Sequence, residues 1–147
     1  MFLRHPILSL ATFAYLALVG WLTLSPVSGT NQFGFLWDLA DFFERHRSTE
    51  WITFNVIEFT ANIAMFVPIG LFFVLLLGRR QWWLAILLGV ILTLGIELAQ
   101  QNIANRVSDP RDLVANSIGA VIGTLLALVL TAAKARRIRI AGNARTA

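Results

Sequence analysis

Cysteine is absent from the 147 residues. That omission removes disulfides, thiolate metal sites and a cysteine nucleophile from consideration. Histidine is almost as scarce. His5 and His46 lie far apart, and neither has a partner at metal-ligand spacing. No zinc site is expected, and no other metal or cofactor. Charge is thin as well: 14% of residues are charged against 57% hydrophobic, which is too apolar for an ordinary soluble domain. The net charge of +4 comes from cations placed mostly beside apolar runs. It therefore argues for membrane topology and contact with anionic lipid, and against a nucleic-acid partner. No Ser/His base pair, phosphate-binding glycine loop, low-complexity segment or internal repeat is visible.

What the chain does have is long hydrophobic stretches. About 20 apolar residues cross a bilayer as a helix. Four runs of that order are expected as transmembrane helices over 7–24, 57–78, 82–101 and 110–133 of a single 1–147 domain. The fold class expected is an all-α membrane protein. The first run carries no charge from Ile7 to Leu24 and places Trp21 near its far end, where indoles favour the interface. A cleaved signal peptide is the alternative. The run is long for one, and Ser25, Pro26 and Val27 offer no clear small-x-small cleavage site. Pro26, Ser28, Gly29 and Asn31 then break the chain. Over 33–46, Phe35, Leu36, Leu39, Phe42 and Phe43 recur at helical spacing, with Asp38, Asp41 and Arg45 on another face. This predicts an amphipathic helix, too short and charged to span, lying in the interface plane or over the helix ends.

The second long run pairs Glu58 with Asn62 on one face, four residues apart. Pro68 sits mid-run and leaves the Ala64 carbonyl without its usual donor. Such a residue is expected to kink the helix and is tolerated where neighbours satisfy the freed group. Arg79 and Arg80 close the run. The third begins with Trp82 and Trp83 and carries Gly89, Thr93, Glu97 and Gln100 along one stripe. Small and polar residues on one stripe mark a helix–helix face in lipid. A short link holding Arg106 leads to Asp109, expected as an N-cap, with Pro110 first in the helix and Asp112 third. The last run aligns Asn116, Gly119 and Gly123; the small pair permits close backbone approach. The residues from 134 to 147 read as a basic tail with five cations and no acid.

Arg4, Arg79, Arg80 and the tail cations fall on one side of a four-helix path, and the eight acids fall on or toward the other. The positive-inside rule then puts both termini in the cytoplasm. Counting helical rise from the opposite ends places Asn62, Glu97 and Asn116 about one turn, roughly 6–8 Å, below the outer surface. Intramembrane charge is costly and suggests function by default. The candidate polar site is therefore Asn62, Glu97, Gln100, Arg106, Asp109, Asp112 and Asn116, with Pro68, Gly70, Gly119 and Gly123 shaping the helices around it. Each member also has a structural reading. Glu97 can pair with Arg106 or accept from Asn116 and Gln100; Asp109 and Asp112 can serve as helix starters; Asn62 and Asn116 can bond neighbouring helices.

Asn62, Phe66, Pro68 and Gly70 together resemble the NxxxFxPxG motif of VanZ-like membrane proteins. Glu97, Gln100, Arg106, Asp109, Asp112, Asn116, Gly119 and Gly123 resemble the second motif block of that family, and Thr93 stands where the family often has serine. The resemblance implies a multi-pass protein of the bacterial cytoplasmic membrane. It also implies a connection to low-level resistance against teicoplanin, a lipid-tailed glycopeptide, and supplies no mechanism.

Three functions are open on these grounds. One is a non-enzymatic protein binding a lipid or amphiphile of the envelope at the outer leaflet, with a membrane lipid, a lipid-linked envelope precursor or a lipoglycopeptide as partner. Arg106, whose guanidinium fork suits phosphate and carboxylate, would help hold the polar head. The second is an enzyme using Glu97 with Asp109 or Asp112 as acid and base. The third is a small proton-coupled transporter, for which four helices are few unless the protein forms a homo-oligomer. The first is preferred.

Overall fold

The computed structural model describes residues 6–25, 34–46, 48–49, 51–103 and 109–143, with side chains as far as 133. Its regular elements are all helical. α1 is Pro6–Leu24, α2 Gly34–Glu44, α3 Phe54–Leu77, α4 Trp82–Gln100 and α5 Pro110–Asn143, with a 3-10 turn, Arg79–Gln81, before α4. No strand occurs among the described residues. Four segments are long and apolar enough to cross a membrane: Pro6–Leu24, Phe54–Leu77, Arg79–Gln100 and Pro110–Ala133. Their outer faces carry Ile7, Leu10, Trp21, Leu98, Val129 and Leu130 exposed. Spread over the bundle, such a surface is too extensive and apolar for water.

Two boundaries differ from the expectation. α3 starts at Phe54, one turn before Ile57, because the Thr53 carbonyl already accepts the N–H groups of Val56 and Ile57 at 3.0 and 3.1 Å. α5 does not stop at Ala133 to leave a tail; it continues to Asn143. Alanine, lysine and arginine are strong helix formers, and no glycine or proline interrupts them between Ala133 and Gly142. Hydrophobicity marks where a span ends, and the helix itself outlasts the span.

The close contacts run through α3. A Cβ at Gly119 would stand against the Ile63 carbonyl and 2.8 Å from the Phe66 Cβ; one at Gly123 would strike the Val67 carbonyl. From α3 itself, a Cβ at Gly70 would strike the Ala120 carbonyl. The Ile63–Gly119 and Val67–Gly123 contacts advance together, so α3 and α5 run parallel. Gly89 meets Ala120, and Thr93 meets Asn116, so α4 runs antiparallel to α5. Val19, Phe66, Ile69, Ile96 and Ala120 form the core that joins α1 to the other three spans.

Pro68 lies inside α3. The Tyr15 hydroxyl donates to the Met65 carbonyl at 2.8 Å, beside the Ala64 carbonyl that the proline deprives of its donor. The same tyrosine ring meets Phe72 edge-on at 5.9 Å, clamping α1 across the proline turn. At the other end of α3, Leu36 and Ala40 of α2 bury themselves against Ile57, and Trp37 stacks on Phe54 with centroids 3.8 Å apart and planes 12° from parallel. Phe35 and Phe42 remain exposed on α2.

Candidate functional site

The four spans open a cavity at one end of the bundle, where α1 and α4 finish and α3 and α5 begin. Its volume is about 360 Å³. Leu22, Ala61, Met65 and Ile96 give it apolar walls; Leu36, Trp37 and Phe54 stand where α2 packs on α3. The polar lining comes from every span: Thr23 of α1, Glu58 and Asn62 of α3, Glu97 and Gln100 of α4, Asp112 and Asn116 of α5. Amphiphile-sized pockets with mostly apolar walls and a few convergent polar groups are the usual form of a binding site.

Much of that polar lining is tied together across helices. Asn62 Nδ2 donates to Asp112 Oδ1 at 2.6 Å, joining α3 to α5. Gln100 Nε2 donates to the Thr23 carbonyl at 2.9 Å, joining α4 to α1 at a carbonyl of the last turn, where no intrahelical donor is available. Asn116 Nδ2 donates to Thr93 Oγ1 at 2.9 Å, joining α5 to α4. That bond uses the amide's donor side, and Asn116 Oδ1 is buried with no partner among the described residues. Glu97 is only 7% exposed and Asn116 3%, whereas Glu58 is exposed at the cavity's edge. Glu58, Glu97 and Asp112 thus bring three carboxyl groups to the lining. Even so, no group of three or more His, Asp or Glu among the described residues is gathered closely enough to hold a metal ion.

Of the residues singled out in the sequence, Asn62, Glu97, Gln100, Asp112 and Asn116 line this one cavity. Asp109 does not line it. Its Oδ1 accepts the Arg111 backbone N–H at 2.9 Å, which engages it as the cap that starts α5. Asp112 shares the first turn but turns inward to Asn62, so its role goes beyond starting the helix. Arg106 lies outside the described residues. Gly70, Gly119 and Gly123 belong to the packed waist below the cavity.

Sequence reasoning passed over Glu58, although its spacing to Asn62 was a signal for it. It also passed over Thr23 and the Trp37–Phe54 pair. No pattern in the sequence flags a backbone carbonyl such as that of Thr23, or brings an aromatic of α2 to the start of α3.

A family model, VanZ/LLP1, matches residues 12–131. The chain belongs to the VanZ/LLP1 family. No curated protein and no solved structure matches it. The matched region runs from α1 through the last apolar turn of α5 and so contains every described residue of the cavity. With its four apolar helices, this VanZ/LLP1 member is a multi-pass membrane protein.

Proposed function

We propose that this protein is a non-enzymatic receptor of the bacterial cytoplasmic membrane. Both termini lie in the cytoplasm, and the cavity opens toward the outer leaflet. There it holds the polar head of a lipid or amphiphile of the cell envelope, and α2 lies in the interface as a cover. One observation carries the reading: all four spans deliver polar groups to the same apolar-walled cavity at the end of the bundle, as side chains from α3, α4 and α5 and as a backbone carbonyl from α1. A site buried mid-membrane would suit transport. A site at the helix ends suits a molecule whose head sits at the interface while its tails stay in the bilayer. Trp37 at the cavity, and the exposed Phe35 and Phe42 on the same α2 helix, which packs at the start of α3, support placing that end at the headgroup level, where aromatics are favoured. In cells, occupancy of such a site would alter how a lipid-tailed glycopeptide reaches its target, in keeping with the family.

Lipids that survive mild purification, identified by mass spectrometry, test the reading. An envelope lipid is expected at near-stoichiometric amounts, and depleted in Glu97→Gln protein that still folds and inserts. A wild-type protein carrying no more lipid than an unrelated four-helix membrane protein would refute it. Chemical turnover of an envelope lipid by the pure protein, lost in Glu97→Gln, would refute the non-enzymatic part.

A further inference from the structure

We infer that the last turn of α1, from Gly20 to Leu24, is a lateral gate through which the tails of an amphiphile enter and leave the cavity. The inference rests on the proposed function and adds the route to the site. Its ground is the contrast between the places where the spans are locked together and the one where the hold is weak.

A molecule with its head in the cavity and its tails in the bilayer cannot thread a closed ring of helices, so one wall must part. At the level of the cavity, Asn62 and Asp112 tie α3 to α5 at 2.6 Å, and Asn116 and Thr93 tie α5 to α4 at 2.9 Å. Just below, α5 lies on the α3 backbone at Gly119 and Gly123. α1 is different. Its most apolar stretch is 17% buried, against 28–39% in the other three spans. The middle of α1 is held: the Tyr15 hydroxyl donates to the Met65 carbonyl of α3 at 2.8 Å, and Val19 is 1% exposed in the shared core. Beyond Val19 the character of the helix changes.

Three local features make that last turn the part that yields. A Cβ at Gly20 would meet nothing within 4 Å, so packing does not require the glycine, yet it leaves the helix weaker than alanine would. The Thr23 hydroxyl turns back on its own helix and donates to the Val19 carbonyl at 2.8 Å. Such back-bonding bends a helix and slightly destabilises it. The tie to α4 is the Gln100 amide on the Thr23 carbonyl at 2.9 Å, which draws on the backbone of this same turn. The turn is also wall: Leu22 and Thr23 line the cavity, while Trp21 beside them is exposed on the outer face. Bending or unwinding at Gly20 releases Thr23 from Gln100 and opens the wall to lipid, with Val19 and Tyr15 left in place. Lids over ligand sites are drawn from such low-stability elements.

Gly20→Ala tests the gate, because alanine strengthens the helix there without touching a neighbour. Gly95→Ala, at a glycine of α4 equally clear of neighbours, is the control. Loading of full-length protein in mild detergent with phosphatidylethanolamine carrying a pyrene-labelled tail is followed in stopped flow by energy transfer from the tryptophans, and release by chasing with unlabelled lipid. Loading and release are both expected to slow about four- to fivefold in Gly20→Ala, the scale of the glycine-to-alanine helix preference, with affinity unchanged. A gate changes both rates alike, whereas a residue of the site changes their ratio. Gly95→Ala should leave both rates as they are. Unchanged rates in Gly20→Ala, equal slowing in Gly95→Ala, or a change confined to one rate would overturn the gate and leave the receptor. Faster exchange in Trp37→Ala with no response to Gly20→Ala would move the entrance to α2 and overturn it as well. Absence of saturable lipid binding to the wild-type protein would overturn both readings.

Discussion

Adding one methyl group at Gly123 should loosen the bundle more than any change at its apolar surface. The position faces backbone on both sides of its contact. A Cβ there would strike the Val67 carbonyl oxygen and lie 2.8 Å from the Val67 carbonyl carbon and 2.9 Å from the Leu71 nitrogen. Non-bonded carbons settle at about 3.5–4.0 Å, and backbone in a packed helix cannot rotate aside as a side chain can. α3 and α5 must part by roughly 1 Å, which already forfeits a quarter to a half of the dispersion energy of the atoms involved. Gly123→Ala is therefore expected to destabilise by about 1–3 kcal/mol, the usual scale of overpacking. Gly95→Ala is the control. A Cβ there meets nothing within 4 Å, and alanine is a better helix former than glycine by about 0.8–1.0 kcal/mol. The two variants should thus move in opposite directions. Unfolding by SDS in mixed micelles, followed by the fluorescence of the five tryptophans, gives the comparison. If Gly123→Ala unfolds at the same SDS fraction as Gly95→Ala, or later, the close-packed waist is wrong.

Two other predictions concern the polar end. Thr93→Val keeps shape but strands the Asn116 nitrogen, both residues being buried. A loss of about 1 kcal/mol is expected in the same SDS assay, between the ~0.6 average for interhelical bonds in membranes and the 1–3 for a stranded buried donor; an unchanged midpoint would mean the bond is not made. Because the chain has no native cysteine, Asn102→Cys places a unique thiol at an exposed position just past α4. An impermeant maleimide added to intact cells should label it, and labelling only after lysis would invert the topology.

The four spans were legible because a bilayer imposes a length, and length survives in the sequence as an apolar run. The site was half legible for a related reason. A carboxylate or an amide in an apolar helix is conspicuous, so Asn62, Glu97, Gln100 and Asn116 stood out without any structure. The stripes of α4 and α5 did mark their packing faces; what the sequence could not supply was rotation where no such stripe runs, as in α1. A span that is apolar all round has no pattern to say which face meets protein and which meets lipid. Asp112 shows the consequence: its place in the first turn of α5 reads as a helix starter, and only the angle of that turn directs it to Asn62. Thr23 shows the other limit. Its contribution is a backbone carbonyl exposed by the end of α1, and any residue type at that position would present one.

The waist and the cavity are two results of one arrangement. Gly119 and Gly123 let α5 lie directly on the α3 backbone at Ile63 and Val67, and Gly70 and Gly89 let Ala120 seat between α3 and α4. Contact this close leaves no room for a ligand mid-bundle, and no polar side chain is needed to hold it. Toward the end where α3 begins, the glycines stop and larger polar residues take over the same faces: Asn116 and Asp112 on α5, Asn62 and Glu58 on α3. The helices must stand farther apart there, and the bonds from Asn62 to Asp112, Asn116 to Thr93 and Gln100 to Thr23 span the widened gaps. Small residues thus set the place where the bundle is shut, and the polar residues beyond them set how far it opens. A change that separates the waist should accordingly alter the cavity as well. Gly123→Ala is expected to weaken lipid retention along with stability, although its position lies about two turns of helix from Asn116.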